Sequence, residues 1–256
     1  MTDKIQRVLE TLEISQDIKI LYAVESGSRA WGFASQDSDW DVRYIYIHKL
    51  DWYLQIEDKK DSFEKILPNN IDLAGWELKK TLKLFRKSNP PLLEWLRSPI
   101  VYLQKSSLVD KLHELSKEYF NPNSCVHHYL HMAEGNFREY LQSDIVRAKK
   151  YFYVLRPILA CDWIRNTNTM APMEFQKLMD SQVTDTKVKS EIEKLLERKM
   201  IGQELDGEYK IQVLNDFLQE KINFYNDYAK SQGKKNQPDY KLLDELFKNI
   251  IEEVWN

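Results

Sequence analysis

The spacing of apolar residues turns helical at Trp76 and stays so for the rest of the chain, and that change limits the possible folds more than any other feature. Before it, IKILYAVE (18–25) and WDVRYIYI (40–47) are apolar, β-branched and aromatic, as buried strands are. From Trp76 on, WELKKTLKLFRKSNPPLLEWL carries apolar residues at helical spacing, and Asn89-Pro90-Pro91 ends one helix and starts another. Beyond about residue 105 almost no strand signal remains. Helices are expected over 107–119, 123–142, 145–166, 172–180, 187–200, 209–231 and 239–255. Strands first and helices afterwards read as an α+β chain, with an α/β domain over 1–104 and an all-helical domain over 105–256. Within the first, residues 3–14 form an amphipathic helix through Ile5, Val8, Leu9 and Leu12. Trp52–Ile56 is expected as a short strand, EDKKDSFEKILPNN (57–70) as loop or short helix, and Ile71–Ala74 as a further strand.

Composition narrows the class. The 256 residues are 43% hydrophobic, enough for a substantial core, while 7 Gly and 8 Pro argue against a turn-rich sandwich or barrel. No stretch approaches the ~20 apolar residues of a membrane span. The opening MTDKIQRVLETLEIS lacks the apolar centre of a signal peptide, and two cysteines make no disulfide framework, so a cytoplasmic protein is expected. With a net charge of -3, binding to a polyanion must come from a local patch.

The chemistry concentrates in residues 24–47. Gly27-Ser28 closes a strand and opens a short turn or helix, whose backbone N–H groups, with the Ser28 hydroxyl, make a seat for a phosphate. Asp39 and Asp41 stand two apart at the start of a strand, so both carboxylates face one side. Such a pair repels unless a cation sits between its members, and Mg²⁺ takes one or two carboxylates plus substrate phosphates. Asp72, in another expected strand, brings a third acid, although Asp58, Asp61, Glu64 and Glu77 lie nearby. Three acids around two metals about 3.5–4 Å apart would clamp an in-line phosphoryl displacement. Each piece alone has an ordinary reading. Gly-Ser is a turn, and Asp-Ser-Asp-Trp-Asp is a solvated loop or a calcium loop lacking the EF-hand's Gly and Glu.

Taken together, Gly-Ser, a spacer of about ten residues, Asp-x-Asp on a strand and a later acid resemble the DNA polymerase β-type nucleotidyltransferase superfamily. ESGSRAWGF…SDWDVR, with KSNPPLLEWLRSPIVY downstream, resembles the branch described as an RNA-repair-pathway polymerase β family. The likeness spans about residues 22–103, with a weaker echo in KKYFYVLRPILACDWI (149–164). It implies a mixed sheet with flanking helices, two Mg²⁺ (or Mn²⁺) ions and a nucleoside triphosphate. By the same resemblance Gly27 and Ser28 hold the triphosphate, Asp39 and Asp41 ligate metal, and Asp72 is the third catalytic carboxylate. The implied reaction moves a nucleoside monophosphate onto an acceptor hydroxyl, with an RNA end as acceptor. Nucleotidylation of a protein or small molecule, or a non-catalytic NTP-binding regulator of toxin–antitoxin type, are the rival readings.

Supporting residues follow. Arg43 shares Asp41's face and either meets a phosphate or neutralises Asp41. Lys79, Lys83 and Arg86 form a basic stripe, with Lys80, Lys87, Arg97 and Lys105 nearby; it is either a solvated face or a contact for triphosphate or RNA. Lys149, Lys150 and Arg156 form a second cluster in the half that closes over the nucleotide in this superfamily. Nucleotide contacts are therefore expected at Arg29, Arg43, Lys79, Lys80 and Arg156, in a cleft between the two domains. Asn89, Glu94 and Trp95 read as a structural helix corner, and Trp31 and Trp40 as packing or base-stacking residues. Cys125, His127, His128 and His131 put two histidines on one helix face without a second ligand pair, so ordinary surface or core histidines are expected.

Overall fold

The computed structural model describes residues 1–203, 206–233 and 237–256. α1 (Thr2–Gln16) buries Ile5, Leu9 and Leu12 on one stripe and ends at Asp17 in the left-handed region (φ 48°). β1 (Lys19–Ser26), α2 (Gly27–Trp31) and β2 (Trp40–Ile47) follow. Then come α3 (Leu50–Tyr53), β3 (Ser62–Leu67), β4 (Ile71–Glu77), α4 (Leu78–Arg86), α5 (Pro90–Trp95) and β5 (Val101–Gln104). The remainder is α6 (Leu108–Tyr119), α7 (Pro122–Tyr140), β6 (Ile145–Arg147), α8 (Tyr151–Thr167), α9 (Phe175–Gln182), α10 (Thr186–Met200), β7 (Asp206–Tyr209), α11 (Gln212–Ser231) and α12 (Lys241–Trp255). The fold is α+β.

The described chain gathers into two compact units that interleave along the sequence rather than dividing it once near residue 105. The first holds Met1–Ala30, Asp39–Phe120 and the C-terminal helix α12; the second holds Trp31–Ser38 and the helices α7 to α11. In the first unit the five strands run β3-β4-β2-β1-β5, with β2 and β4 parallel and the other pairs antiparallel. One sheet face takes the apolar stripe of α1 against Ile20, Val42, Tyr44, Ile71, Leu73 and Tyr102. Alternation then turns Asp41, Arg43, Asp72 and Trp76 to the other face, where Trp76 stacks on Trp95 of α5 at 3.8 Å. Gly75 makes room for this arrangement, since a Cβ there would lie 2.3 Å from the Tyr44 ring.

In the second unit α8 has no single apolar stripe and buries most of its residues, as a central helix does. Phe33 from the short inserted segment packs with Phe152 at 4.8 Å and Phe175 at 5.6 Å. Asp162 of α8, also buried, is held by the Lys221 ammonium at 2.8 Å and the Tyr225 hydroxyl at 2.6 Å.

Several expected elements differ. Trp52–Ile56 is not a strand: Leu50–Tyr53 makes one helical turn, fixed by His48 stacking on Trp52 at 4.1 Å. Part of the expected loop 57–70 is β3, an edge strand whose side chains are mostly exposed, so its apolar alternation is faint. β5 pairs with β1. The expected helix 145–166 begins as β6, which pairs with β7 in a two-stranded sheet, so strands do occur beyond residue 105. Among the described residues no helix is long and apolar enough to cross a membrane.

Candidate active site

β1 and β2 pair so that Ser26 lies opposite Asp41, and the chain leaves β1 through Gly27 with φ +63°. That turn lies directly on the Asp41 carboxylate. A Cβ at Gly27 would stand 2.1 Å from Asp41 Oδ2, so both backbone conformation and space require glycine. On the other side of β2, the parallel pairing sets Asp41 in register with Asp72. Asp72, rather than Asp58, Asp61, Glu64 or Glu77, is thus the acid that meets Asp41.

Arg43 lies between them. Its Nη2 donates to Asp41 Oδ1 at 3.0 Å and to Asp72 Oδ2 at 2.8 Å. Its Nη1 donates to the carbonyls of Val42 at 3.2 Å and Asp72 at 3.0 Å. Burial raises the pKa of Asp41, with Arg43 opposing and Asp72 and Asp39 adding to the rise. Asp39 itself is exposed, at the mouth of the strand. Its carbonyl accepts from Arg29 Nε at 3.0 Å, while the Arg29 guanidinium lies 3.8 Å over the Trp40 ring.

Behind this pair stands an acid that the sequence reading overlooked. Glu25, in β1, is fully buried, accepts the Asp41 N–H at 2.8 Å on Oε1 and takes the Tyr102 hydroxyl on Oε2. Burial pushes its pKa up to about 7, against the lowering effect of those two hydrogen bonds. Ser98 Oγ donates to its carbonyl at 2.6 Å. The available signal was a lone carboxylate inside the apolar run IKILYAVE, where an unpaired acid would be costly.

The expected basic contacts of α4 lie beyond the other end of β4. Lys79 and Lys80 open α4, past the end of β4, and Asp72 is five residues upstream of Glu77, about 16 Å along the strand at about 3.3 Å per residue. Lys80 Nζ pairs with Asp61 at 2.9 Å. Arg86 is engaged by Pro238 O at 2.6 Å and Gln237 Oε1 at 2.7 Å, with its guanidinium over the Tyr240 ring. Arg156 is buried in α8 of the second unit, 4.9 Å over the Trp31 ring. Asn89 caps α5 by accepting from Leu92 N, and Trp95 is core, as the structural reading of that corner expects. His127 and His131 are exposed and Cys125 is buried.

Among the described residues no three His, Cys, Asp or Glu converge as they stand on one ion position. Arg43 fills the space between Asp41 and Asp72. The donor set nevertheless suits a hard divalent cation, because both side chains remain partly open to solvent (27% and 38%) and offer only carboxylate oxygens.

Residues 1–249 match the family model RlaP, described as the RNA repair pathway DNA polymerase beta family. The chain belongs to that family. It is also 48% identical over 255 residues to an uncharacterized Bacillus subtilis (strain 168) protein, YcgL, covering 100% of this chain and 98% of the relative. A solved nucleotidyltransferase-like protein from Exiguobacterium sibiricum 255-15 aligns over 89% of this chain and 75% of its own, at 8% identity and a TM-score of 0.33.

Proposed function

We propose that this chain is a Mg²⁺- or Mn²⁺-dependent nucleotidyltransferase that moves a nucleoside monophosphate from an NTP to an acceptor hydroxyl, with an RNA end as acceptor. The observation that carries the reading is the register that sets Asp41 beside Asp72 directly under the Gly27 turn. Backbone N–H groups from Gly27 onward, with the Ser28 hydroxyl, hold the triphosphate, and Arg29, fixed on Trp40, adds positive charge at the same edge. Asp39, Asp41 and Asp72 hold the cation. When bound, it neutralises charge that develops on the transferring phosphoryl group and lowers the pKa of the attacking hydroxyl. Asp72 accepts the proton that the acceptor loses, and pyrophosphate leaves from the side of the Ser28 turn. Most of the catalytic effect is positioning and charge neutralisation.

One observation favours a smaller acceptor, a protein or metabolite hydroxyl. Arg86 of the basic stripe expected to follow an RNA backbone is engaged within the chain by Gln237 and Pro238, and the neighbouring Lys80 by Asp61. The test incubates the protein with each labelled NTP, Mg²⁺ or Mn²⁺, and RNA, tRNA and protein acceptors. Label on an RNA end supports the first reading and label on protein the second. Asp41→Ala is expected to abolish labelling with the fold intact. Nucleotide binding without label on any acceptor would sink the enzyme reading.

A further inference from the structure

Arginine offers five N–H donors in a rigid fork. At Arg43 four of them are committed: both on Nη1 to main-chain carbonyls, both on Nη2 to the two carboxylates. Among the described residues, Nε–H alone is given no partner. An arginine that clamps a phosphate presents its paired N–H groups outward, whereas here those pairs point inward, at Asp41 and Asp72. The two carbonyl contacts also fix the guanidinium to the sheet, so it cannot swing to a ligand without breaking both. The two acids carry two negative charges, in register on adjacent strands, and Arg43 is the cation that lets them approach.

We infer that Arg43 is the resident counter-ion of the Asp41–Asp72 pair, not a contact for the nucleotide's phosphates, and that it competes with the divalent cation for these carboxylates. This inference rests on the metal-dependent reading above. The cation meets one net negative charge on the trio instead of two, and the Asp41 and Asp72 oxygens facing Arg43 are already shared. Arg43 therefore holds metal affinity down and keeps the metal-free site assembled.

The test titrates Mn²⁺ alone, without nucleotide, into full-length wild type, Arg43→Gln and Arg43→Lys by calorimetry, and measures Tm in chelator and in Mn²⁺. Arg43→Gln is expected to bind Mn²⁺ on the order of tenfold more tightly, the effect of removing one nearby unit charge. It is expected to melt lower than wild type in chelator and to gain more from Mn²⁺. Arg43→Lys, which keeps the charge and loses the fork, lies between and remains informative if the glutamine variant fails to fold. Unchanged Mn²⁺ affinity in either variant, with weakened binding of a non-hydrolysable NTP analogue, overturns the inference and makes Arg43 a phosphate contact. Absence of Mn²⁺ binding in wild type and variants alike overturns the metal-dependent reading itself, and the inference with it.

Discussion

The two strands that flank β2 each carry a buried glutamate, Glu25 on β1 and Glu77 on β4, and they are built alike. Each takes a tyrosine hydroxyl on one oxygen, from Tyr102 and from Tyr53 respectively, and main-chain N–H on the other. Burial raises both pKa values. The difference lies in whose N–H they accept. Glu77 takes those of Lys79 and Lys80, at 2.7 and 3.2 Å, and so caps α4. Glu25 takes that of Asp41 and so fixes a strand residue of the candidate site. One arrangement of a buried carboxylate thus holds a helix at one end of β2 and positions an acid at the other.

The largest expected effect comes from a third buried acid, where the partner is a full charge. Asp162 is held by Lys221 and Tyr225, and Lys221→Met would leave the carboxylate buried without its cation. The expected loss is about 3–5 kcal/mol of stability, read by urea unfolding. A loss under about 1 kcal/mol would mean that hydrogen bonding alone, as at the glutamates, suffices there.

Next is Glu77→Ala, which strands two helix N–H groups and the Tyr53 hydroxyl. A loss of about 2–3 kcal/mol is expected, with turnover per folded molecule unchanged. The matched change Glu25→Gln keeps an acceptor for the Asp41 N–H, so the stability loss is smaller, about 1 kcal/mol. Mn²⁺ affinity and turnover are nevertheless expected to fall, on the order of tenfold, because the amide has a single acceptor oxygen where Glu25 offers one to the Asp41 N–H and one to the Tyr102 hydroxyl, and the NH₂ set against the other partner shifts Asp41. If Glu77→Gln lowers turnover as much as Glu25→Gln, the distinction between a helix cap and a positioning residue collapses.

Why the site's acids could be read from sequence and their supports could not follows from what each feature depends on. Asp39, Asp41 and the strand after them are local: period-two alternation and a preceding Gly-Ser suffice. Asp72 needed only an apolar strand. Glu25 depends on β5, whose four residues carry Tyr102 to it, and a strand of that length gives little signal. β3 was hidden because an edge strand with exposed side chains has no buried face to mark. Trp52 and Tyr53 mimicked a strand because aromatics favour both strands and the ring packing that fixes α3. Lys79 and Lys80 looked like nucleotide contacts because helical spacing reveals a stripe but not which end of β4 it begins from.

The smallest effect sharpens the comparison through pH. Glu25 has its folded pKa raised to about 7 by burial, so the unfolded chain releases this proton at lower pH than the native one. Its contribution to stability is complete below about pH 4.5 and is lost as pH rises through about 7. His48, beyond the other end of β2, is pushed down to about 4 by burial and then by the nearby Lys59 charge. Its contribution is complete above about pH 6.5 and is lost as pH falls toward 4. The two slopes oppose each other over the same window, between pH 5 and 6.5. Glu25→Gln removes one slope, and its Tm should climb with pH across that window relative to wild type. His48→Asn removes the other, and its Tm should fall as pH rises. Parallel Tm profiles for all three proteins would mean that neither end of β2 changes its proton occupancy on folding.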